Sequence, residues 1–485
     1  MRFLFSVLTP GFLRPFPSVV RLLTERGHEV VLAFHRHKWA AGTHELVDEL
    51  AALPGVRVEE EEVLPAQTRA WDELALDLRS SIDYLHFLAP RFDATYRARA
   101  VPRAPRPALV AGKAPRPLHR PLIATLRVAE RAIPTSAEIG EYLRRVDPDA
   151  VLFTPYMGLR TVQPDYLRAA QAVGLPTAIL VTSWDNLTSK SLIDPLPDRL
   201  FVWNELQRRE AAELHGVPGD RVVVTGAQSF DDWLGWEPRS REQFLRPTGL
   251  DPARPYVLYP CSAPWTGQAE VGFVERWIAA FRAARPELAG VGVLIRPHPK
   301  RPEEWRGVDL SGLRDVAVWP AEPRLPTDAQ SKADYYDSIF HSAAVVGLNT
   351  TAMIEAGVVG RPVFTILTDE FREVQEGTLH FRYLLEVGGG LVHVARAFDE
   401  HAGQLVEALA DPDLGARAGR EFVREFVRPH GLDVPATPIF VDELERLAGQ
   451  ARPRPRRTPL LLLPLRPVLR PFARRAARYS QMIDR

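Results

Sequence analysis

Short apolar runs alternate along the chain with stretches of helical period, and Gly, Pro or Asp punctuates each change. Residues 2–8 form a short, mainly apolar run that ends at Thr9-Pro10-Gly11. A helical pattern then carries Val19, Val20, Leu22 and Leu23 and stops at Gly27, and a second apolar run fills 29–34. Continuous apolar runs of this length suit strands covered on both faces, and glycine is the residue that closes a helix at least steric cost. The opening therefore predicts a strand, a helix and a second strand. Further strands are predicted over 56–58, 150–153, 177–181, 200–203 and 222–225, with helices over 166–173 and 205–214. Thr135 with Glu138 reads as a capping box for a helix ending near Val146. A second series opens at Tyr256, with strands over 256–259, 291–295, 344–347 and 362–365 and helices between them. Strands joined by crossover helices pair in parallel, so the pattern predicts the α/β class with two parallel sheets.

Length supports that division, because 485 residues exceed what one hydrophobic core holds. The expected boundaries are 1–235 for a first domain, 251–430 for a second, a closing helix over 431–450 and a tail over 451–485. Apolar residues at 46% and charged residues at 25% leave no room for a largely disordered chain. Lys plus Arg equals Asp plus Glu at 61 each, so no overall field draws the protein to nucleic acid. The charge is unevenly spread. Between 97 and 131 nine Lys or Arg face one acid, Glu130, and prolines at 102, 105, 107, 115, 117 and 121 mark an insertion or mobile flap. Between 451 and 485 ten Arg face one acid, Asp484, and six prolines are expected to break up any long helix. A single cysteine, Cys261, excludes an internal disulfide framework. No apolar run is long enough to span a bilayer, and the start reads as no signal peptide. The expectation is a cytoplasmic protein, attached peripherally to the inner face of the membrane if its Arg-rich tail meets anionic lipid; the bland alternative for the tail is solubility.

Ligands of open parallel sheets gather at the carboxyl ends of strands, so motifs there carry the chemistry. Arg296-Pro297-His298-Pro299-Lys300 follows the predicted strand 291–295. A histidine held between two prolines can bond a phosphate or move a proton, with Arg296 and Lys300 adding positive charge; a rigid surface turn is the alternative. In the segment 347–362, Asn349, Thr350 and Thr351 open a helix, and a helix start rich in hydroxyls suits a diphosphate, with Glu355 placed to meet ribose hydroxyls. An ordinary capped helix reads the same way. Trp184-Asp185-Asn186 follows 177–181 and suits sugar recognition, with Asp185 as general base ahead of His35 or His86; an Asx turn is the alternative. Gly11 in the first loop permits close approach of a ligand, though no Gly-x-Gly-x-x-Gly is present. Tyr156, Ser262, Trp265 and Thr266 also follow strands. Asp147-Pro148-Asp149 has a metal-like spacing but precedes its strand, and no cluster has convincing metal-ligand spacing.

Together these segments resemble glycosyltransferases of the GT-B fold and, more loosely, hydrolysing nucleotide-sugar epimerases and CDP-glycerol glycerophosphotransferases. The resemblance rests on RLFVWNELQRREAAELHGVPGDRVVVTGAQSFD at 199–231, on RPHP at 296–299 and on NTTAMIEAGVVGRP at 349–362. It implies two Rossmann-like domains facing a cleft, with a nucleotide-diphosphate sugar as co-substrate in the second half. His298, Thr350 and Thr351 would contact the diphosphate and Glu355 the ribose, with Arg296, Asn349, Ser262 and Gly11 also lining that site. Asp185 and His298 would be catalytic, and Trp184, Asn186 and Tyr156 would bind the acceptor or sugar. Transfer to a glycan, lipid-linked or small hydroxyl acceptor without a metal or other cofactor is the implied activity. An epimerase, a glycerophosphotransferase or a non-catalytic sugar-nucleotide-binding protein is the rival reading.

Overall fold

The apolar runs become strands because both of their faces are covered. The computed structural model describes residues 1–35, 43–59, 69–92, 96–97, 100–157, 161–264 and 270–483. Its residues fall into two compact units, one of Met1–Lys38, Glu49–Thr225 and Thr437–Arg485, the other of Trp39–Asp48 and Gly226–Ala436.

In the first unit, Arg2–Val7 (β1), Glu29–Phe34 (β2), Val56–Glu59 (β3), Ala150–Thr154 (β4), Thr177–Leu180 (β5), Arg199–Val202 (β6) and Val222–Val224 (β7) form a parallel sheet in the order β3-β2-β1-β4-β5-β6-β7. Phe3, Phe5, Val30, Leu32, Leu152 and Phe153 are wholly buried. The chain turns from β1 to β2 and β3 on one side, then returns to β4 on the other. At this reversal, between the loops after β1 and β4, parallel sheets generally place their ligand crevice. Helix Ala436–Ala448 brings the chain back to this unit, where Phe440 packs 4.8 Å from Phe201 and 6.0 Å from Phe16 between ring centroids.

The second unit repeats the plan. Tyr256–Pro260 (β8), Gly292–Arg296 (β9), Val316–Val318 (β10), Ala344–Val346 (β11), Val363–Ile366 (β12) and Val392–Ala395 (β13) form a parallel sheet in the order β10-β9-β8-β11-β12-β13. Its reversal lies between β8 and β11. Strands β10 and β13 are not announced in the sequence because, at the sheet edges and only partly buried, they need no continuous apolar run. The core under this sheet is built on Trp277, Phe281 and Phe273 of helix Glu270–Ala284.

Three local expectations are corrected. The cap of helix Ala137–Val146 is Ser136, whose hydroxyl accepts from the Ile139 amide at 3.2 Å, rather than Thr135. The stretch 97–131 is not a bare flap, since it holds helices Arg106–Ala111 and His119–Ala132. The prolines of the tail do not prevent a long helix, Leu465–Ile483. Pro467 sits in its first turn, where a missing amide costs nothing, and Pro471 is tolerated because Leu469 and Ala473 pack against Leu74, Ala75, Leu78 and Ile133.

Candidate functional site

Around the reversal of the second sheet, three loops leave its carboxyl edge, after β8, β9 and β11. Arg296 is the last residue of β9, in register with Pro260, and only 8% exposed. Its guanidinium lies between two aromatic rings, 5.5 Å from the centroid of Trp319 and 4.9 Å from that of Tyr335. Among the described residues no carboxylate forms an ion pair with it, and its buried Nη1 has no hydrogen-bond partner. Burial pushes the guanidinium down to about 10, with Tyr335 and Asp334 pulling it back up, so it stays charged at neutral pH. A buried cation costs several kcal/mol unless an anion meets it, and the flanking rings recover only part of that.

His298 stands two residues further on, half-buried, with its Nδ1 accepting from the Lys300 amide at 3.1 Å, which fixes the ring on the proline-bounded turn. After β11, helix Thr351–Val358 begins at Thr350, whose extended backbone marks the cap position, but no side chain caps it. Asn349 does not serve as a cap. Its amide donates to the Val374 carbonyl at 2.5 Å and reaches Thr378 and His380, tying the loop to the stretch after β12. Among the described residues, then, the Thr350 side chain leaves the first amides of the helix, its positive end, uncapped. Glu355, 8% exposed on the same helix, accepts a short hydrogen bond from the Tyr335 hydroxyl. Tyr335 thus joins the guanidinium of Arg296 to the carboxylate of Glu355. Sequence reasoning missed both Tyr335 and Trp319, since no spacing links either to the loops they complete.

Ser262, after β8, is fully buried, and its amide donates to both oxygens of Glu270 at 3.1 and 3.0 Å. Tyr259 donates to the same carboxylate at 3.0 Å. Burial raises Glu270 to about 7 against these donors. Ser262 fixes the loop from beneath rather than offering a hydroxyl at the surface. Trp265 and Thr266 lie outside the described residues.

In the first unit, Gly11 sits in the half-buried turn Pro10–Leu13 directly after β1. The loop after β5 is more enclosed than its composition suggests. Trp184 is 3% exposed, so its indole offers no open face for a sugar in this conformation. Asn186 accepts from the amide and hydroxyl of Thr182, each at 3.1 Å. Tyr156 is fully buried and donates to the Asp194 carbonyl at 2.8 Å, with burial raising its pKa. The Asp185 carboxylate accepts from Ser183 and Ser189 at 2.7 Å each and lies 3.3 Å from the Lys190 ammonium. Of the other base candidates, His35 Nε2 is 2.6 Å from the Ser6 hydroxyl, and His86 is held near the Leu214 carbonyl with burial lowering its pKa to about 4. Asp149 accepts from the Arg2 amide at 2.8 Å at the amino edge of the sheet, a joint between strands.

No family model matches the chain, and no curated protein matches it by sequence. Solved structures do match over nearly its whole length. The UDP-GlcNAc 2-epimerase of Neisseria meningitidis, bound to UDP-GlcNAc, superimposes with a TM-score of 0.51 at 14% identity, covering 92% of this chain and all of that one. The UDP-GlcNAc 2-epimerase of Methanocaldococcus jannaschii, in complex with UDP-GlcNAc and UDP, gives 0.51 at 13% identity, with 92% and 100% covered. A glycosyltransferase from Rickettsia africae gives 0.51 at 9% identity, with 93% and 99% covered. The chain has the GT-B fold. Within a GT-B fold the second sheet's reversal is where Arg296, Tyr335, Glu355 and the uncapped helix start gather, as the general rule for parallel sheets demands.

Proposed function

We propose that the chain is a glycosyltransferase that takes a sugar from a nucleotide-diphosphate sugar and passes it to a hydroxyl acceptor, with the donor held on the second unit. The observation that carries this reading is the buried, stacked guanidinium of Arg296, which forms no ion pair among the described residues. A diphosphate supplies the missing negative charge, and the uncapped start of helix Thr351–Val358 adds oriented amides for the same group. Glu355, held by Tyr335, meets the ribose hydroxyls. As the glycosidic bond breaks, charge accumulates on the leaving diphosphate; Arg296, the helix start and His298 stabilise it in place of a metal, and His298 can share a proton with it. Asp185, oriented by Ser183 and Ser189, is the base assigned to the acceptor hydroxyl.

The structural neighbours named as UDP-GlcNAc 2-epimerases favour a second reading, in which the same donor site serves epimerisation with release of the nucleotide. One experiment separates the two. Thermal-shift screening against UDP-, GDP-, CDP- and dTDP-sugars selects the donor, and product analysis with and without hydroxyl acceptors follows. Sugar appearing on an acceptor supports transfer. A free epimerised sugar formed at the same rate without acceptor replaces it with epimerisation, and no shift with any donor removes both.

A further inference from the structure

The two basic stretches, far apart in sequence, pack together. Helices Arg106–Ala111, His119–Ala132 and Leu465–Ile483 all lie on helix Arg69–Phe87, and the C-terminal helix and the turn Leu460–Leu462 also touch His119–Ala132. Arg466 ties them by donating from Nε to the Ala132 carbonyl at 3.0 Å. Among the described residues eleven large apolar side chains are exposed, and eight belong to this layer: Val101, Val110, Leu118 and Val128 from the first stretch, Leu460, Leu461, Val468 and Phe472 from the second. Chance scatter over the surface would not concentrate them on the elements that also carry the cationic excess.

The C-terminal helix sorts its side chains by face. Leu469 and Ala473 face the protein, whereas Val468 and Phe472, one turn apart, face outward at 62% and 59% exposure. Arg475, three residues beyond Phe472, is exposed on that same side and forms no ion pair among the described residues, whereas Arg470 and Arg474 leave the opposite flank of the helix. Exposed apolar side chains with an unpaired arginine beside them match an anionic bilayer surface, where rings enter the headgroup boundary and guanidinium groups meet phosphate. An acidic protein or a nucleic acid would use the charge but leave the apolar residues without a role. No helix among the described residues is long and apolar enough to cross a membrane, so the contact is one of lying on the surface.

We propose that the insertion and the C-terminal helix form one docking face for an anionic phospholipid bilayer. This goes beyond the reaction assigned above and does not depend on it. The test is co-flotation of the full chain with vesicles of equal parts phosphatidylglycerol and phosphatidylcholine, or of phosphatidylcholine alone. Wild type is compared with Val468→Ser/Phe472→Ser and with Leu118→Ser/Val128→Ser. All four positions are exposed, and unchanged melting temperatures verify folding. Binding to anionic vesicles is expected to fall at least about tenfold in each double variant, and for wild type on neutral lipid. Equal recovery on both vesicle types, or no loss in the C-terminal variant, overturns the proposal. Loss in the C-terminal variant alone overturns the composite face. Tight binding of a labelled oligonucleotide with no vesicle recovery assigns the surface to nucleic acid instead.

Discussion

The Tyr335 ring centroid lies 4.9 Å from the Arg296 guanidinium carbon, and the same residue's hydroxyl donates to Glu355. One side chain thus holds the cation by its face and the carboxylate by its edge. Tyr335→Phe keeps the ring and loses the hydrogen bond. Donor KM should rise about three- to tenfold, the worth of one hydrogen bond, with kcat little changed. Glu355→Gln should follow the same pattern, and steady-state kinetics over donor concentration check both.

Glu270 supplies a pH dependence of stability. Its folded value is raised to about 7 from an ordinary 4.5 because burial outweighs the donors from Ser262 and Tyr259. Between those values the folded chain retains a proton that the unfolded chain has released, so the contribution of this group is full below about 4.5 and is lost as pH rises through about 7. Glu270→Gln should therefore melt with a smaller difference between pH 5 and pH 8 than wild type, read by scanning calorimetry in matched buffers.

The first unit hides a charge network with no part in the proposed reaction. Glu130 accepts from Arg79 at 2.7 Å and from Arg168 at 3.0 Å, and Arg79 also donates to Asp165 at 2.6 Å, all with side chains about a tenth exposed. Glu130→Ala leaves the Arg168 guanidinium without its carboxylate and Arg79 with Asp165 alone, and should cost about 3–5 kcal/mol. A shift in the urea midpoint with an unchanged slope is the expected reading.

In the proposed transfer Arg296, His298 and the helix start supply the positive charge, which leaves no role for a divalent ion. Turnover should be the same, within error, with or without a chelator and after re-addition of magnesium or manganese. A loss on chelation that magnesium restores would assign the leaving-group charge to a metal.

The alternation of strands and helices was legible because strands buried on both faces must be largely apolar, as β1, β2, β4 and β8 are. Edge strands β10 and β13 carry no such constraint and left no trace. That Arg296 ends a strand, His298 follows it, Thr350 opens a helix and Glu355 lies on that helix was legible because strand ends and helix starts are written locally. Tyr335 and Trp319 could not, since they reach Arg296 through tertiary packing alone. The loop after β5 shows the converse. Its composition advertises a sugar platform, yet Trp184 is spent on burial and Asn186 on holding Thr182, a distinction only coordinates supply.

The central claim is that Arg296 is held charged and buried to receive a diphosphate. Titration calorimetry of UDP, GDP, CDP and dTDP into wild type and into Arg296→Met tests it. The account predicts that at least one of the four binds wild type, that the variant binds the same nucleotide about a hundredfold more weakly, and that the variant melts no lower than wild type once the uncompensated cation is gone. Equal affinity in the two proteins, or no binding of any of the four to wild type, would contradict it.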